Sequence, residues 1–280
     1  MSLLLQKIAP RKALTEWAGV LAASRTSWIA QPFIRWFIGR YGVDMTQALH
    51  EDPAAYACFN DFFTRALKPD ARSLADSDWI SPVDGAVSQL GRIRQGQIVQ
   101  AKGRSYTVAE LLADDDAAAA YSDGSFATLY LSPRDYHRIH MPCDGALVRM
   151  SHVPGDLYSV NQATAAGIDR LFARNERLVC WFEGPFGPFA MVLVGATIVG
   201  SIATSWHGVV TPPRTGAIRH WAYTQGDSNR IHLRKGEEMG RFLLGSTVIM
   251  VMPPEASVQW NAHWQAGTPI QMGQQMAASK

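Results

Sequence analysis

From Lys68-Pro69 onward, short apolar runs alternate with Gly, Pro and Asp, and that rhythm restricts the chain to a body built mainly of β-strands. The runs cover residues 86–90, 98–101, 127–131, 146–150, 178–182, 189–194, 198–204 and 247–252. Turn-forming residues bound each of them, so successive strands should pair antiparallel. One helix interrupts the series, because Thr107-Val108-Ala109-Glu110 reads as a capping box placed before Leu111-Leu112. The acidic, alanine-rich residues 114–120 read as a loop. Pro82-Val83-Asp84-Gly85-Ala86-Val87 is echoed 60 residues later by Pro142-Cys143-Asp144-Gly145-Ala146-Leu147, which suggests two related β units.

Residues 1 to about 65 have a different character. Leu14, Trp17 and Leu21 recur at helical spacing, and Ser27 is placed to cap a helix carrying Pro32 in its first turns, with Phe33 and Phe37 on one face. Asp52-Pro53 reads as the opening of a further helix with Tyr56, Phe59, Phe62 and Phe63. The expected class is therefore α+β: a mostly antiparallel β body with an N-terminal helical region.

Charge separates the same two parts. Residues 1–40 hold Lys7, Arg11, Lys12, Arg25, Arg35 and Arg40 against one acid, Glu16, while the whole 280-residue chain has a net charge of only +2. Trp17, Trp28 and Trp36 lie among those cations. Basic and aromatic side chains on one helical surface suit an anionic lipid interface. A helical hairpin with a solvated basic face is the plainer reading. Lys7, Pro10, Arg11 and Lys12 interrupt any signal-peptide core.

Residues 184–206 carry no charge for 23 positions, long enough to cross a bilayer as a helix. Pro185, Pro188, Gly187, Gly195 and Gly200 punctuate that stretch, and it is rich in β-branched residues, so it reads as two buried strands joined near Gly195. At 47% hydrophobic and 18% charged, the chain is neither disordered nor coiled coil. Its mild net charge gives no reason to expect nucleic-acid binding. Cys58, Cys143 and Cys180 are odd in number and lack C-x-x-C spacing, which points to a reducing compartment and away from a thiolate zinc site.

Three features call for chemistry. In Ser132-Pro133-Arg134-Asp135-Tyr136-His137-Arg138-Ile139-His140, a capped helical turn would put His137 and His140 on one face. Metal binding, acid–base chemistry and plain structural roles all remain open for them. Asp84 sits on a turn where a carboxylate can orient an imidazole, or simply close an Asx turn. Gly245-Ser246-Thr247 interrupts a buried apolar run, as a strand bend or bulge would. The chemical alternative is self-cleavage, with the Ser246 hydroxyl attacking the carbonyl of Gly245. Amide would become ester, loss of the serine α-proton would eliminate it, and hydrolysis would leave a pyruvoyl group.

Further blocks accompany that motif: Phe59-Asn60-Asp61-Phe62-Phe63-Thr64-Arg65, Ser159-Val160-Asn161, Leu171-Phe172-Ala173-Arg174-Asn175-Glu176-Arg177, Thr211-Pro212-Pro213-Arg214 and residues 238–247. In this order, from about Phe59 to Pro253, the chain resembles the bacterial phosphatidylserine decarboxylase proenzymes. Asp70 stands where that pattern leads one to expect glycine, and His207 is unexpected. The first 50 residues match only in character.

The resemblance implies a specific site. Ser246, His140 and Asp84 would form a self-processing triad, His140 as base and Asp84 orienting it. Cleavage between Gly245 and Ser246 would give a β chain, 1–245, and an α chain, 246–280, which stay together as a heterodimer and can oligomerise further. The α chain would begin with a covalent pyruvoyl derived from Ser246, forming a Schiff base with phosphatidylserine and releasing carbon dioxide to give phosphatidylethanolamine. His137 would return the proton. No metal is required. Residues 1–65 would be the membrane-associating region and 66–280 the catalytic domain, peripheral on the cytoplasmic face of the bacterial inner membrane. A pyruvoyl decarboxylase of a soluble amino acid, and an uncleaved membrane-associated β module, are the competing readings.

Overall fold

The computed structural model of the chain describes residues 11–197, 201–223, 231–243 and 246–280. Two helices, Arg11–Ala23 and Ser27–Tyr41, and a short one, Phe59–Phe63, form an N-terminal layer. Ala22, Ile34, Phe37, Tyr56, Phe59, Phe62 and Phe63 pack into its own apolar cluster. The rest is dominated by antiparallel strands. Among the described residues no helix is long and apolar enough to cross a membrane.

The largest sheet has nine strands among the described residues. Its middle runs Arg177–Gly184, Gly187–Val194, Ser246–Met252, Ser125–Leu131, Gly85–Arg92. The Ser246–Met252 strand is buried throughout, and its alternate residues serve different cores. Val248, Met250 and Met252 enter one cluster, while Ile249 and Val251 enter the cluster on the opposite face. Being apolar on both faces explains why this strand reads as an unbroken run rather than an alternating one. A second sheet, of four strands, orders Gly208–Thr211, Ile202–Thr204, Glu238–Phe242, Arg138–His140. The chain leaves that sheet at Phe242 and enters the large one at Ser246, with only three residues between. Leu244 and Gly245 lie outside the described residues.

Most expected runs appear as strands near their expected places. The uncharged segment yields Gly187–Val194 in one sheet and Ile202–Thr204 in the other, with residues 198–200 outside the described part. Both Pro-x-Asp-Gly turns feed strands of the large sheet, Gly85–Arg92 and Gly145–Val153. At Gly85 a Cβ would stand 2.2 Å from the Tyr130 carbonyl oxygen, so only glycine lets the strand approach this closely directly after Asp84. The capping box forms as expected: Glu110 N–H donates to Thr107 Oγ1 at 3.0 Å, and Thr107 N–H to Glu110 Oε2 at 2.9 Å.

Four local expectations are corrected. Thr26, not Ser27, occupies the N-cap of its helix, and its side chain makes no cap hydrogen bond. Asp52-Pro53 opens only a single 3₁₀ turn, Pro53–Ala55, because Tyr56 turns extended; its hydroxyl donates to the His50 carbonyl at 2.7 Å. The acidic stretch is a helix, Asp115–Ala119, capped by Asp114, which accepts from Ala117 N–H at 2.9 Å. Ser132-Pro133 starts no helical turn. Ser132 N–H donates to the Asp135 carboxylate at 2.7 Å, and the chain passes through a turn into the Arg138–His140 strand.

Candidate active site

The end of the Ser125–Leu131 strand organises the site. Ser246 lies opposite Leu131 on one side of it, and Ala86 lies opposite Tyr130 on the other. Asp84, two residues before Ala86, and Ser246 therefore flank the same strand end, with backbones about 10 Å apart given the usual strand spacing. His140 joins from the smaller sheet: it pairs with Glu238, and its N–H donates to the Pro82 carbonyl at 2.9 Å. His137 enters through Phe242, whose N–H donates to the His137 carbonyl at 3.1 Å. The two turns and two sheets thus converge where the chain crosses toward Ser246.

The two histidines do not share a face. In extended backbone a spacing of three points side chains opposite ways, and the rings meet different neighbours. His137 is fully buried against the Phe63 ring, with centroids 4.0 Å apart. His140 packs against Tyr136 instead. Each Nδ1 faces a backbone carbonyl, Asp135 for His137 and Gly236 for His140, both at 2.8 Å. A carbonyl only accepts, so both Nδ1 atoms carry the proton and both Nε2 atoms offer a lone pair. Burial lowers both pKa values, that of His137 to about 3. Both rings are neutral at pH 7, poised as acceptors of a proton.

Their Nε2 atoms differ in occupancy. Tyr136 Oη donates to His140 Nε2 at 3.0 Å, while His137 Nε2 has no partner among the described residues. Ser246 is fully buried, and its Oγ likewise hydrogen-bonds to none of them. A buried polar atom left this way costs about 1–3 kcal/mol and calls for an explanation. Here two such atoms belong to candidate reacting groups.

Asp84 is held by groups other than His140. Its Oδ1 accepts from Arg72 Nε at 3.0 Å and from Met272 N–H at 2.8 Å, and its Oδ2 pairs with Arg72 Nη2. Backbone pairing thus sets Asp84, His137 and His140 around the strand end that Ser246 flanks, and among the described residues no two of these four side chains hydrogen-bond to each other. Arg72 and Tyr136 were missed as site residues. Arg72 lies in an irregular loop 12 residues before Asp84, and Tyr136 sits inside a segment where the histidines drew attention. Nothing periodic marks either. No group of three or more His, Cys, Asp or Glu placed to hold a metal occurs among the described residues.

Comparison with known proteins extends this picture. The family profile described as "Phosphatidylserine decarboxylase" matches residues 59–278, and one described as "PSD" matches residues 1–42. A protein of Acidovorax ebreus is 59% identical over 278 residues, covering 99% of this chain and 97% of its own. One of Chromobacterium violaceum is 61% identical over 275 residues, covering 98% and 97%. One of Polaromonas is 57% identical over 277 residues, covering 99% and 97%. All three are named phosphatidylserine decarboxylase proenzyme.

Proposed function

The chain belongs to the phosphatidylserine decarboxylase family, and from that premise we propose that it makes its own catalytic ketone at Ser246. Its activity is that of a carboxy-lyase acting on phosphatidylserine, reached through a proenzyme. The observation that carries the processing step is the Ser246 hydroxyl, buried at the head of a central strand and without a hydrogen-bond partner among the described residues. A hydroxyl that served only to fill space would be better satisfied or replaced by a methyl group.

In the proposed reaction, Ser246 Oγ bonds to the Gly245 carbonyl carbon as the Gly245–Ser246 amide breaks, leaving an ester and a free amine. Removal of the Ser246 α-proton expels the Gly245 carboxylate and cuts the chain. Hydrolysis then releases ammonia and leaves pyruvoyl on the new terminus. A neutral imidazole is the right form for the first proton removal, and His140 Nε2 takes that proton when Tyr136 Oη, which donates to it at 3.0 Å, gives way to the Ser246 hydroxyl. We assign that step to His140, set beside the Asp84 turn by its bond to Pro82. His137, beside Phe63, is assigned to the proton exchanged during decarboxylation. The pyruvoyl carbonyl, once formed, supplies the electron sink for the bond that breaks to carbon dioxide.

Cleavage need not disperse the pieces. The Ser246–Met252 strand pairs with Ser125–Leu131 along its whole length and with Gly187–Val194 on its other edge. Residues 246–280 therefore stay bound within 1–245 as a heterodimer. We place the protein peripherally on the cytoplasmic face of the inner membrane, held by residues 1–65, with 66–280 as its catalytic domain. Exposed Trp17, Trp28 and Trp36 beside exposed Arg25, Arg35 and Arg40 support this.

The test is the intact mass of purified protein together with carbon dioxide release from short-chain phosphatidylserine. Two fragments, the smaller blocked to N-terminal sequencing, and a single uncut, inactive chain for Ser246→Ala are expected. A Ser246→Ala chain that cuts fully overturns the processing chemistry.

A further inference from the structure

Among the described residues two arginines are almost fully buried, and they are treated very differently. Arg177 is 3% exposed and all its nitrogens are used: Nε donates to the Leu111 carbonyl, Nη1 to those of Ala173 and Asn175, and Nη2 to that of Glu110. It is a structural staple. Arg65 is 4% exposed, yet its Nε and Nη1 have no hydrogen-bond partner among the described residues. Only Nη2 is engaged, donating to the Arg134 carbonyl at 3.2 Å, while the guanidinium lies 5.5 Å from the centre of the Phe62 ring.

Arg65 lines a cleft of about 270 Å³ together with Arg72, Asp84, Arg134, Tyr136 and Gln271. The cleft also touches Gly42, which caps the Ser27–Tyr41 helix, the helix that exposes Trp28 and Trp36. It therefore runs from the C-terminal end of that helix to the Asp84 turn. Its acids do not answer Arg65. Asp84 is bound by Arg72, Asp135 accepts from Ser132, and Asp44 accepts from Thr46. A desolvated guanidinium with two unpaired donors favours an oxyanion, and because Nε and Nη1 are themselves buried, the side chain must turn toward the cleft to meet one.

We propose that Arg65 binds the phosphodiester of phosphatidylserine, making this cleft the head-group site; the inference rests on the decarboxylase reading above. The substrate has a second oxyanion, its carboxylate, and chemistry distinguishes the two. The carboxylate loses its charge on the way to carbon dioxide, so a cation fixed on it would stabilise the ground state more than the transition state. The phosphodiester keeps its charge throughout. A cation there holds substrate, transition state and product alike, and contributes to KM rather than to kcat.

The experiment compares wild type, Arg65→Gln and Arg65→Lys, each checked for folding by thermal melting and for cutting on a denaturing gel. Turnover is measured on water-soluble, short-chain phosphatidylserine. Glycerophosphoethanolamine, which has the phosphodiester and no carboxylate, serves as a competing ligand. Arg65→Gln should raise KM by about tenfold or more, with kcat within about threefold, as loss of a charge-assisted hydrogen bond implies. The inhibition constant for glycerophosphoethanolamine should rise in step. Arg65→Lys should fall between, since a point charge replaces the planar fork.

An unchanged inhibition constant in Arg65→Gln overturns the proposal, even if KM rises, because Arg65 would then meet the carboxylate. If Arg65→Gln does not fold, a folded Arg65→Lys enzyme with wild-type KM and inhibition constant overturns it equally. Wild-type protein that releases no carbon dioxide from phosphatidylserine defeats the decarboxylase reading itself. A wild-type enzyme that turns over while both variants match it defeats only the anchor.

Discussion

Arg72 holds the Asp84 carboxylate with two donors, Nε to Oδ1 at 3.0 Å and Nη2 to Oδ2, and both side chains are about nine-tenths buried. The loop carrying Arg72 is thereby tied to the turn that opens the Gly85–Arg92 strand. Arg72 Nη1 also donates to Gln47 Oε1 at 2.7 Å, so the tie extends toward the N-terminal layer. In this arrangement Asp84 is a junction between layers as well as a candidate processing residue.

Removing one partner of such a pair leaves the other charge buried. Arg72→Leu should therefore cost about 3 kcal/mol of stability, read from urea midpoints at pH 7.5. It should also slow cutting, because Asp84 would keep only the Met272 N–H at its present place. A loss under about 1 kcal/mol would mean that solvent screens the pair, as it does surface ion pairs.

The histidines should separate by step. His140→Ala should accumulate uncut chain and be inactive for that reason. His137→Ala should cut at least partly but turn over about 10²–10⁴-fold more slowly, the usual worth of positioned proton transfer. Gel densitometry and a single-turnover assay on the cut fraction decide between them. A fully active His137→Ala enzyme would remove His137 from the mechanism.

Acid should weaken the fold before the carboxylates titrate. Burial lowers the pKa of His137 to about 3 and that of His140 below the usual histidine value, so the unfolded chain binds more protons below pH 6.5. Stability is greatest above that pH and falls as pH drops toward 4.5, by up to about 1.4 kcal/mol per unit for His137, with His140 adding loss in the same direction. Asp135, whose carboxyl burial pushes up, opposes the trend toward the acid end. Urea midpoints at pH 7.5, 6.0 and 5.0 give the slope, and His137→Gln should flatten it. An unchanged slope would mean that the ring charges in the folded protein without penalty.

Trp17 and Trp28 are 77% and 76% exposed, so they contribute little to the folded core. Trp17→Ser with Trp28→Ser should leave the melting temperature within about 2 °C of wild type. Flotation with anionic liposomes should fall sharply. Turnover of a soluble short-chain substrate should change much less. Full flotation of the double variant would move the lipid contact elsewhere.

The β class and the strand runs were legible because each depends on local pattern, whereas the processing role proposed for Ser246 came from the family resemblance. A run such as Thr247 to Met252 is apolar on both faces whatever surrounds it, and Gly85 is needed wherever a strand passes so close to Tyr130. His137 and His140 were legible as residues but not as geometry. Local signals at Ser132-Pro133 favoured a helical turn, and the pairing of Arg138 and His140 with the Glu238–Phe242 strand prevailed. Long-range strand pairing satisfies backbone groups that a one-turn helix would leave open. Arg72, Tyr136 and Arg65 carried no local sign of a chemical role, although Tyr136 and Arg65 lie within segments that the sequence singles out. What distinguishes them is a partner across the fold, or the lack of one: Asp84 for Arg72, His140 for Tyr136, and no described acceptor for two nitrogens of Arg65. Sequence fixes which side chains can do chemistry, but hydrogen-bond saturation and desolvation arise only when distant segments meet, and those decide which side chains are free to act.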